Sequence, residues 1–298
     1  MMKKLLALLL ALLTLASFAA CKKETDDTDD DLDLFRVDEV VYTSYIDEDT
    51  VHAGSNKKSV YHFELVDTET VAIVGYSGPT EKHDIKIPSV VFTGEDKDAT
   101  AKAVVAIADE AFKNVSSIRN VEIPEGITSI GRYAFAYCAH LETVKFPSTL
   151  ASIGDGAFLK SGLTELTFPE SCSLTEIKGA TFWKCNNLTE VTIPAYIKTV
   201  GVGAFFECQA LEKVVLSVGV ETVGRMAFVN CPKLNELHIP YTLAPASVKP
   251  LDDLCFLGSD ALTVDGVTVT EPEKIPQNSN LIGYLENMEK YLNSSDGN

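Results

Sequence analysis

Residues 130–147 read IGRYAFAYCAHLETVKFP, and five other stretches between Ile107 and Pro240 repeat this pattern. One phenylalanine in each unit marks the period, and the successive spacings are 23, 23, 24, 23 and 23 residues. These residues are Phe112, Phe135, Phe158, Phe182, Phe205 and Phe228. A fixed period of about 20–50 residues is typical of repeats that stack on one another. The repetition therefore predicts a solenoid.

The end of each unit has the two-residue period of a β-strand. In residues 130–147, this period points Leu141, Val144 and Phe146 inward and Thr143 and Lys145 outward. The proline that follows ends the strand, because it has no N–H to continue the ladder. Six such strands would pair in parallel at about 4.8 Å, and each coil would bury the apolar side chains of its neighbours.

The unit I-G-x-x-A-F-x-x-C-x-x-L-x-x-V-x-I-P resembles the BspA-like leucine-rich repeats of bacterial surface proteins, over roughly half the chain. We therefore predict a β-rich α/β solenoid of about six 23-residue units with one parallel strand each. A β N-terminal cap and a mixed C-terminal cap would close its ends. The third unit is one residue short before Leu163, the fourth gains two residues around Cys172, and Ser217 replaces proline in the fifth. We interpret these departures as bulges within one stack.

The charge distribution excludes a class of partner. The chain of 298 residues has a net charge of −18, with 46% hydrophobic residues, enough for a sizeable core. The stretch from Lys22 to Thr50 contains 12 acidic and 3 basic residues, a net of −9, which is half of the total. Because phosphate binding needs a basic patch, we expect no nucleic-acid partner.

The N-terminus has the features of a lipoprotein signal peptide, assigned to residues 1–20. Lys3 and Lys4 precede an apolar run that is too short for a bilayer span. The sequence Phe18-Ala19-Ala20-Cys21 resembles the bacterial lipobox, which implies acylation of Cys21. The alternative is an ordinary cleaved signal with an incidental cysteine. Residues 21–34 are predicted to be an acidic disordered tether. Acidic residues directly after a lipidated cysteine resemble the export signal of bacterial surface lipoproteins, which implies a lipid-anchored protein on the surface of the bacterial outer membrane.

The remaining segments are assigned to the solenoid and its two caps. Residues 35–103 are predicted to be an N-terminal β cap with a hairpin near Asp67–Thr70 and a degenerate first repeat at Ile85–Pro88. The solenoid covers residues 104–243. Residues 244–298 form the C-terminal cap, with a broken seventh unit at Leu254–Phe256, a hairpin about Asp265–Gly266 and a short helix at Leu281–Leu292.

Four cysteines occupy the same position of the repeat, namely Cys138, Cys185, Cys208 and Cys231. Stacked coils would bring three of them, Cys185, Cys208 and Cys231, to about 5 Å from one another, a separation that permits a disulfide. Side chains that stack in parallel do not converge, however, so we interpret these cysteines as small buried hydrophobic residues. No paired C-x-x-C spacing indicates a zinc site.

No motif in the sequence indicates catalysis. None of the five histidines lies in a metal or nucleophile motif, and the chain has no phosphate-binding loop. We therefore predict no catalytic residue, no metal, no cofactor and no small-molecule substrate, and we expect that the protein is not an enzyme.

The outward strand positions are the candidate partner-binding face. They are mixed polar without an aromatic row, which favours a protein partner over a glycan. His238 beside Glu236 is either part of this face or a solvated strand residue. The twelve positions are Asn120, Glu122, Thr143, Lys145, Glu165, Thr167, Glu190, Thr192, Lys213, Val215, Glu236 and His238.

The return segments contain Trp183, Phe206 and Tyr137. These rings form either an exposed aromatic patch or contacts that are partly buried against the next coil, and the sequence leaves both readings open.

Taken with the family resemblance, which implies adhesion, these features predict a cell-surface lipoprotein that binds another macromolecule through its solenoid. The alternative is a non-catalytic accessory or structural subunit of an outer-membrane complex. The sequence does not identify the partner.

Overall fold

The long strands of the repeat form a parallel ladder. The computed structural model describes residues 44–47, 59–93, 100–240, 255–256, 258–259, 261–262 and 267–270. Cα partners in the pairs β7–β9, β12–β14 and β14–β16, such as Asn120 with Thr143, are 23 residues apart, so the predicted solenoid is confirmed. The long strands are β4 (His83–Lys86), β7 (Ile118–Glu122), β9 (Thr143–Lys145), β12 (Glu190–Ile193), β14 (Lys213–Leu216), β16 (Glu236–Pro240) and β17 (Val267–Thr270).

This ladder is interrupted at the third unit, where residues 164–168 form no strand. One sheet has the order β4-β7-β9 and the other has the order β12-β14-β16-β17. The third unit is one residue short and the next is lengthened around Cys172, which shifts the backbone out of register for pairing. The bulges predicted from sequence therefore break the strand ladder, although they leave the stack continuous.

A second parallel ladder consists of two-residue strands at the start of each unit. These are β8 (Ser129–Ile130), β10 (Ser152–Ile153), β11 (Glu176–Ile177), β13 (Thr199–Val200) and β15 (Thr222–Val223). β10 pairs with β8, and β11 pairs with β13, but β10 and β11 lie in separate sheets.

The replacement of a repeat glycine in the fourth unit explains the interruption of the short-strand ladder. A Cβ added to Gly154 would lie 2.5 Å from the backbone nitrogen of Arg132 in the preceding coil, so close approach requires a residue without a side chain. In the fourth unit Lys178 occupies this position. We attribute the gap between β10 and β11 to the Cβ of Lys178.

The six phenylalanines form one continuous column of buried rings. Neighbouring centroids are 4.8, 5.3, 5.5, 5.2 and 5.2 Å apart, and the rings are within 16° of parallel. Phe256 extends the column with a centroid 5.5 Å from Phe228, although it is 28 residues further along the chain. Phe256 belongs to the segment predicted as a broken seventh unit, and its ring continues the stack. At the other end, the ring of Tyr76 lies 5.2 Å from that of Phe112.

The return segments are turns, and the described residues contain no helix. Their backbone N–H groups donate to the next coil, as Phe135 does to Ala157 and Tyr137 does to Leu159, both at 2.7 Å. Two positions in each coil are left-handed, with φ between 53° and 65°. They come two residues before and two residues after the phenylalanine: Glu110, Asn114, Tyr133, Tyr137, Gly156, Lys160, Ala180, Lys184, Gly203, Glu207, Met226 and Asn230.

The N-terminal cap is a β-sheet continuous with the short-strand ladder. Its order is β1-β2-β3-β6-β8-β10, and β5 pairs with β6. β2 and β3 form the predicted antiparallel hairpin. The remaining strands of the cap are β1 (Ser44–Asp47), β2 (Ser59–Leu65), β3 (Thr70–Ser77), β5 (Val90–Thr93) and β6 (Thr100–Ile107).

A buried hydrogen-bond chain connects the cap to β4. The Ser59 and Tyr76 hydroxyl oxygens are 2.7 Å apart, and the Tyr76 hydroxyl lies 2.6 Å from Nε2 of His83. Nδ1 of His83 lies 2.8 Å from the carbonyl oxygen of Glu81, which only accepts. Nδ1 therefore carries the proton, and in the neutral ring Nε2 accepts from Tyr76.

The repeat cysteines are buried and free, as predicted, and they also act as donors. The thiol of Cys138 donates to the carbonyl oxygen of Phe112 at 3.1 Å. Burial raises the pKa of Cys138 to about 12, so its thiol stays protonated. The same contact, at 3.3 Å, joins Cys185 to Phe158, Cys208 to Phe182 and Cys231 to Phe205.

Several predictions concern residues outside the described ones. They are the signal peptide, Cys21, the acidic tether and the helix at 281–292. The domain boundaries stay predictions. β17 pairs in parallel with β16, whereas residues 263–266 of the predicted hairpin lie outside the described residues.

Candidate interaction face

The candidate partner-binding face, which we call the sheet face, is the outer surface of the long strands. Its twelve predicted residues are exposed or half-buried, and none is buried. Alternation places them there: in β9, Val144 is buried between Thr143 and Lys145. Glu165 and Thr167 are exposed but lie in the interrupted third unit, and the other residues lie on strands.

A network of polar side chains fixes the N-terminal end of the sheet face. The Arg119 guanidinium donates twice to the carboxylate of Asp84, each at 3.0 Å, and Asn120 donates to it at 2.8 Å. The Thr143 hydroxyl donates to Oδ1 of Asn120 at 2.6 Å. The hydrogen bond from Arg119 lowers the pKa of Asp84 despite partial desolvation.

Asp84 and Arg119 were absent from the predicted face. Asp84 precedes Asn120 by 36 residues rather than 23, since a longer excursion separates β4 from β7. The signal that would have identified Asp84 is its place in the degenerate first repeat, one residue before Ile85.

The second column of the sheet face contains a three-residue ion pair. The Glu122 carboxylate lies 2.9 Å from the ammonium of Lys145 and 3.4 Å from that of Lys86. The hydrogen bond from Lys145 lowers the pKa of Glu122. These are exposed pairs, so they fix side-chain positions more than they stabilise the fold.

The C-terminal end has a similar arrangement around Glu236. Its carboxylate lies 2.6 Å from Nζ of Lys213 and 2.7 Å from Nε2 of His238. The hydrogen bond with His238, followed by that with Lys213, lowers the pKa of Glu236. His238 thus lies on the sheet face with an acidic partner.

Acidic side chains occupy the middle of the sheet face. Glu165 and Glu190 are exposed, and neither forms an ion pair with a described residue. Both ends are therefore internally paired, whereas the middle offers two free carboxylates to an approaching cation or donor.

The described part of the chain assembles no metal-binding cluster of three or more His, Cys, Asp or Glu side chains. Among the same residues, no helix has the length and hydrophobicity that a membrane crossing requires.

The aromatic residues of the return segments are partly exposed and also pack against neighbouring coils, so both interpretations of the sequence apply. Trp183 packs edge-on against Phe206 of the next coil, with ring centroids 5.0 Å apart, yet it is 37% exposed. Tyr137 is 39% exposed, and its ring contacts the ammonium of Lys160 at 5.3 Å.

Solved structures of bacterial repeat proteins resemble this chain. The leucine rich repeat protein TpLRR of T. pallidum is 30% identical, with a TM-score of 0.52, over 59% of this chain and 78% of that one. A leucine-rich repeat protein from Bacteroides ovatus is 22% identical, with a TM-score of 0.52, over 76% of this chain. This chain spans about half of that protein, 54% of its length. The similarity to the Bacteroides ovatus protein, at 22% identity, supports the fold alone.

No curated protein matches the sequence. The sequence model described as the BspA type leucine rich repeat region, in six copies, matches residues 105–235 and 175–264. Together these ranges cover 160 of the 298 residues, more than half of the chain. The chain belongs to the family of BspA-type leucine-rich-repeat proteins.

Proposed function

We propose that this protein is a lipid-anchored surface protein of the bacterial outer membrane that binds another protein through its sheet face, in adhesion. The observation that carries the proposal is the sheet face itself. Twelve register positions present side chains that are not buried, and ten of them lie on strands that pair at fixed register. Such an array is pre-organised, so little side-chain freedom is lost on binding.

The chemistry of the sheet face favours a protein partner. The free carboxylates of Glu165 and Glu190 match lysine, arginine or backbone donors. Among the described residues of this face no aromatic ring is exposed on which a sugar could stack. The face thus suits a partner with basic groups opposite the third and fourth units.

The anchor is the second part of the proposal. Cleavage before Cys21 and acylation of that residue would attach the chain to the membrane, and residues 21–34 would space the solenoid from it. Residues 35–103, 104–243 and 244–298 would then be the N-terminal cap, the solenoid and the C-terminal cap. We propose a binding role without catalysis.

Charge reversal tests the sheet face. Cross-linking on living cells that carry the intact protein, followed by purification, would recover the partner. We expect Glu165→Lys together with Glu190→Lys to abolish recovery of that partner. The control is Glu176→Lys, which reverses an exposed charge on the short-strand ladder and should leave recovery unchanged. Equal recovery with both variants would contradict the assigned face.

Protease treatment of intact cells tests the surface location. An adhesin that faces outward should be digested, whereas an accessory subunit within an outer-membrane complex should persist. Survival of the full-length chain on intact cells, with digestion after lysis, would reject the adhesin and support the subunit.

A further inference from the structure

The surface opposite the sheet face combines apolar and basic side chains. We call it the return face and define it by the two residues after each column phenylalanine. The first residue after the phenylalanine is apolar in five successive coils: Ala136, Leu159, Trp183, Phe206 and Val229. Ala136 and Val229 are buried, so Leu159, Trp183 and Phe206 provide the apolar surface. The second residue gives a more polar row: Tyr137, Lys160, Lys184, Glu207 and Asn230.

Exposed apolar surface is concentrated on the return face rather than on the sheet face. Six large apolar side chains are exposed in the described part of the chain, and two of them, Trp183 and Tyr137, belong to the return face. Val202, which is 59% exposed, lies three residues before Phe205 in the same segment. The six include none of the twelve sheet-face residues. Exposed aromatic side chains of this kind are enriched where proteins bind one another.

Two cations beside these rings have no acidic partner among the described residues. Nζ of Lys160 lies 5.3 Å from the ring of Tyr137, and the Arg132 guanidinium lies 5.7 Å from the ring of Tyr133. Both side chains are exposed. The backbone N–H of Lys160 donates to the carbonyl oxygen of Trp183 at 2.8 Å, so this lysine lies directly beside the indole-bearing residue.

The acidic groups nearby are already engaged. Glu207 pairs with Lys184 at 2.9 Å, and Glu110 pairs with Lys113 at 2.8 Å. Oδ1 of Asp109 accepts from the backbone of Arg132, and Oδ1 of Asp155 accepts from that of Gly179. Lys160 and Arg132 are therefore cations without an ion pair among the described residues, whereas the carboxylates of Asp109 and Asp155 are held by backbone N–H groups and keep their negative charge.

Backbone hydrogen bonds are not available to a ligand here. The N–H groups of Trp183 and Lys184 donate to Ala180 and Phe206, and the equivalent groups of the neighbouring coil donate in the same way. A peptide would be recognised through its side chains and not by adding a strand.

We propose that the return face is a second binding surface, for an acidic protein segment that also carries an aromatic or large apolar side chain. The apolar side chain packs on Trp183 and Phe206, and a carboxylate pairs with Lys160. The proposal does not depend on what the sheet face binds.

Trp183 is the single tryptophan of the chain, so its fluorescence reports on this surface directly. The probe is a random copolymer of glutamate and tyrosine, added to the full chain while indole is excited selectively. We expect saturable quenching that weakens with added salt, because salt screens exposed ion pairs. Polyglutamate, which lacks rings, should bind more weakly, and a copolymer of lysine and tyrosine should give no response.

Matched charge reversals identify the face. Lys160→Glu should weaken binding of the copolymer roughly fivefold or more, as expected for loss of an attractive pair and gain of a repulsive one. Lys145→Glu, which reverses an exposed charge on the sheet face, should leave binding unchanged. An unaltered emission spectrum of the unliganded Lys160→Glu protein serves as the check on folding.

Four results would overturn the proposal. They are the absence of quenching by the glutamate–tyrosine copolymer, equal effects of the two reversals, and salt-independent quenching by cellohexaose in place of the copolymer, which would indicate a glycan surface. The fourth is a salt-dependent change of Trp183 emission without any polymer, which would indicate that an acidic segment of the chain itself covers the surface.

Discussion

The hydroxyl of Ser259 donates a 3.0 Å hydrogen bond to the carbonyl oxygen of Phe228, just as the thiol of Cys231 donates to Phe205 one coil earlier. From Cys138 to Ser259, the position three residues after the phenylalanine therefore combines a small side chain with a donor, whereas Val115 occupies it in the first unit. Both serine and cysteine provide this combination, and alanine does not.

Substitutions of a repeat cysteine distinguish the contribution of its hydrogen bond from the contribution of its packing. We expect Cys208→Ala to lower the free energy of unfolding by about 0.5–1.5 kcal/mol, because the carbonyl oxygen of Phe182 loses one of its two donors and keeps the backbone N–H of Cys185. Cys208→Ser keeps a donor and should cost less. Urea titration of both variants measures the difference, and a serine variant less stable than the alanine variant would show that packing alone selects cysteine.

The ring column predicts where truncation is most harmful. Phe158 lies between Phe135 and Phe182 and is fully buried. Phe158→Ala should cost about 3–5 kcal/mol, since it opens a cavity in the middle of the column. Lys145→Ala, which removes an exposed side chain, should cost almost nothing. Equal shifts of the melting midpoint for the two variants would be incompatible with the observed register.

The left-handed positions offer a pair of substitutions with opposite effects. Ala180 and Gly203 occupy equivalent positions in adjacent coils, with φ of 53° and 61°. A residue with a Cβ is strained there, so Ala180→Gly should raise the free energy of unfolding by about 0.5–1 kcal/mol, and Gly203→Ala should lower it similarly. A Cβ at Gly203 would come no closer than 3.7 Å to a neighbouring atom, so backbone strain and not a clash is tested.

Acid should weaken the N-terminal end of the sheet face. The pKa of Asp84 is lowered in the folded chain from 3.8, chiefly by the hydrogen bond from Arg119. A carboxylate with a lowered pKa stabilises the fold above its unfolded pKa, and this stabilisation is lost as the pH falls through the folded value. Thermal melts between neutral pH and about pH 3 should therefore show a smaller acid-induced loss for Asp84→Asn than for the unmodified protein.

The control for this pH dependence is Glu190→Gln, because its carboxylate has no ion-pair partner among the described residues. It should retain the acid-induced loss. An identical pH profile for Asp84→Asn and the unmodified protein would show that the Asp84–Arg119 pair contributes nothing measurable.

The proposed anchor predicts a clean biochemical phenotype. Cys21→Ser should abolish membrane association and the incorporation of labelled fatty acid, because the hydroxyl is not a substrate for thioether lipidation. Cys172→Ser, at a half-buried cysteine of the solenoid, is the control and should retain both. Labelled lipid in the Cys21→Ser protein would place the anchor elsewhere.

The 23-residue period was sufficient to predict the coil, the ring column and the outward register of the sheet face. Each depends on local alternation and on equal spacing, which the sequence displays directly. Asp84, paired with Asn120 across 36 residues, and the left-handed turns do not follow from spacing. The Asp84–Asn120 contact depends on the path of the longer segment between β4 and β7. The left-handed turns depend on a backbone conformation that several different residue types adopt at the same repeat position.

The twin gaps beside the third coil have a mechanical consequence. The coils that contain Phe158 and Phe182 are joined by backbone hydrogen bonds between their turns and by the stacking of these two rings. Neither of the two strand ladders continues from one of these coils to the next. Under tension along the long axis, this junction should yield before any other among the described coils. If the chain is anchored at its N-terminus as proposed, a load applied to the sheet face beyond this junction would separate the coils in the middle and leave the first three coils intact on the anchored side.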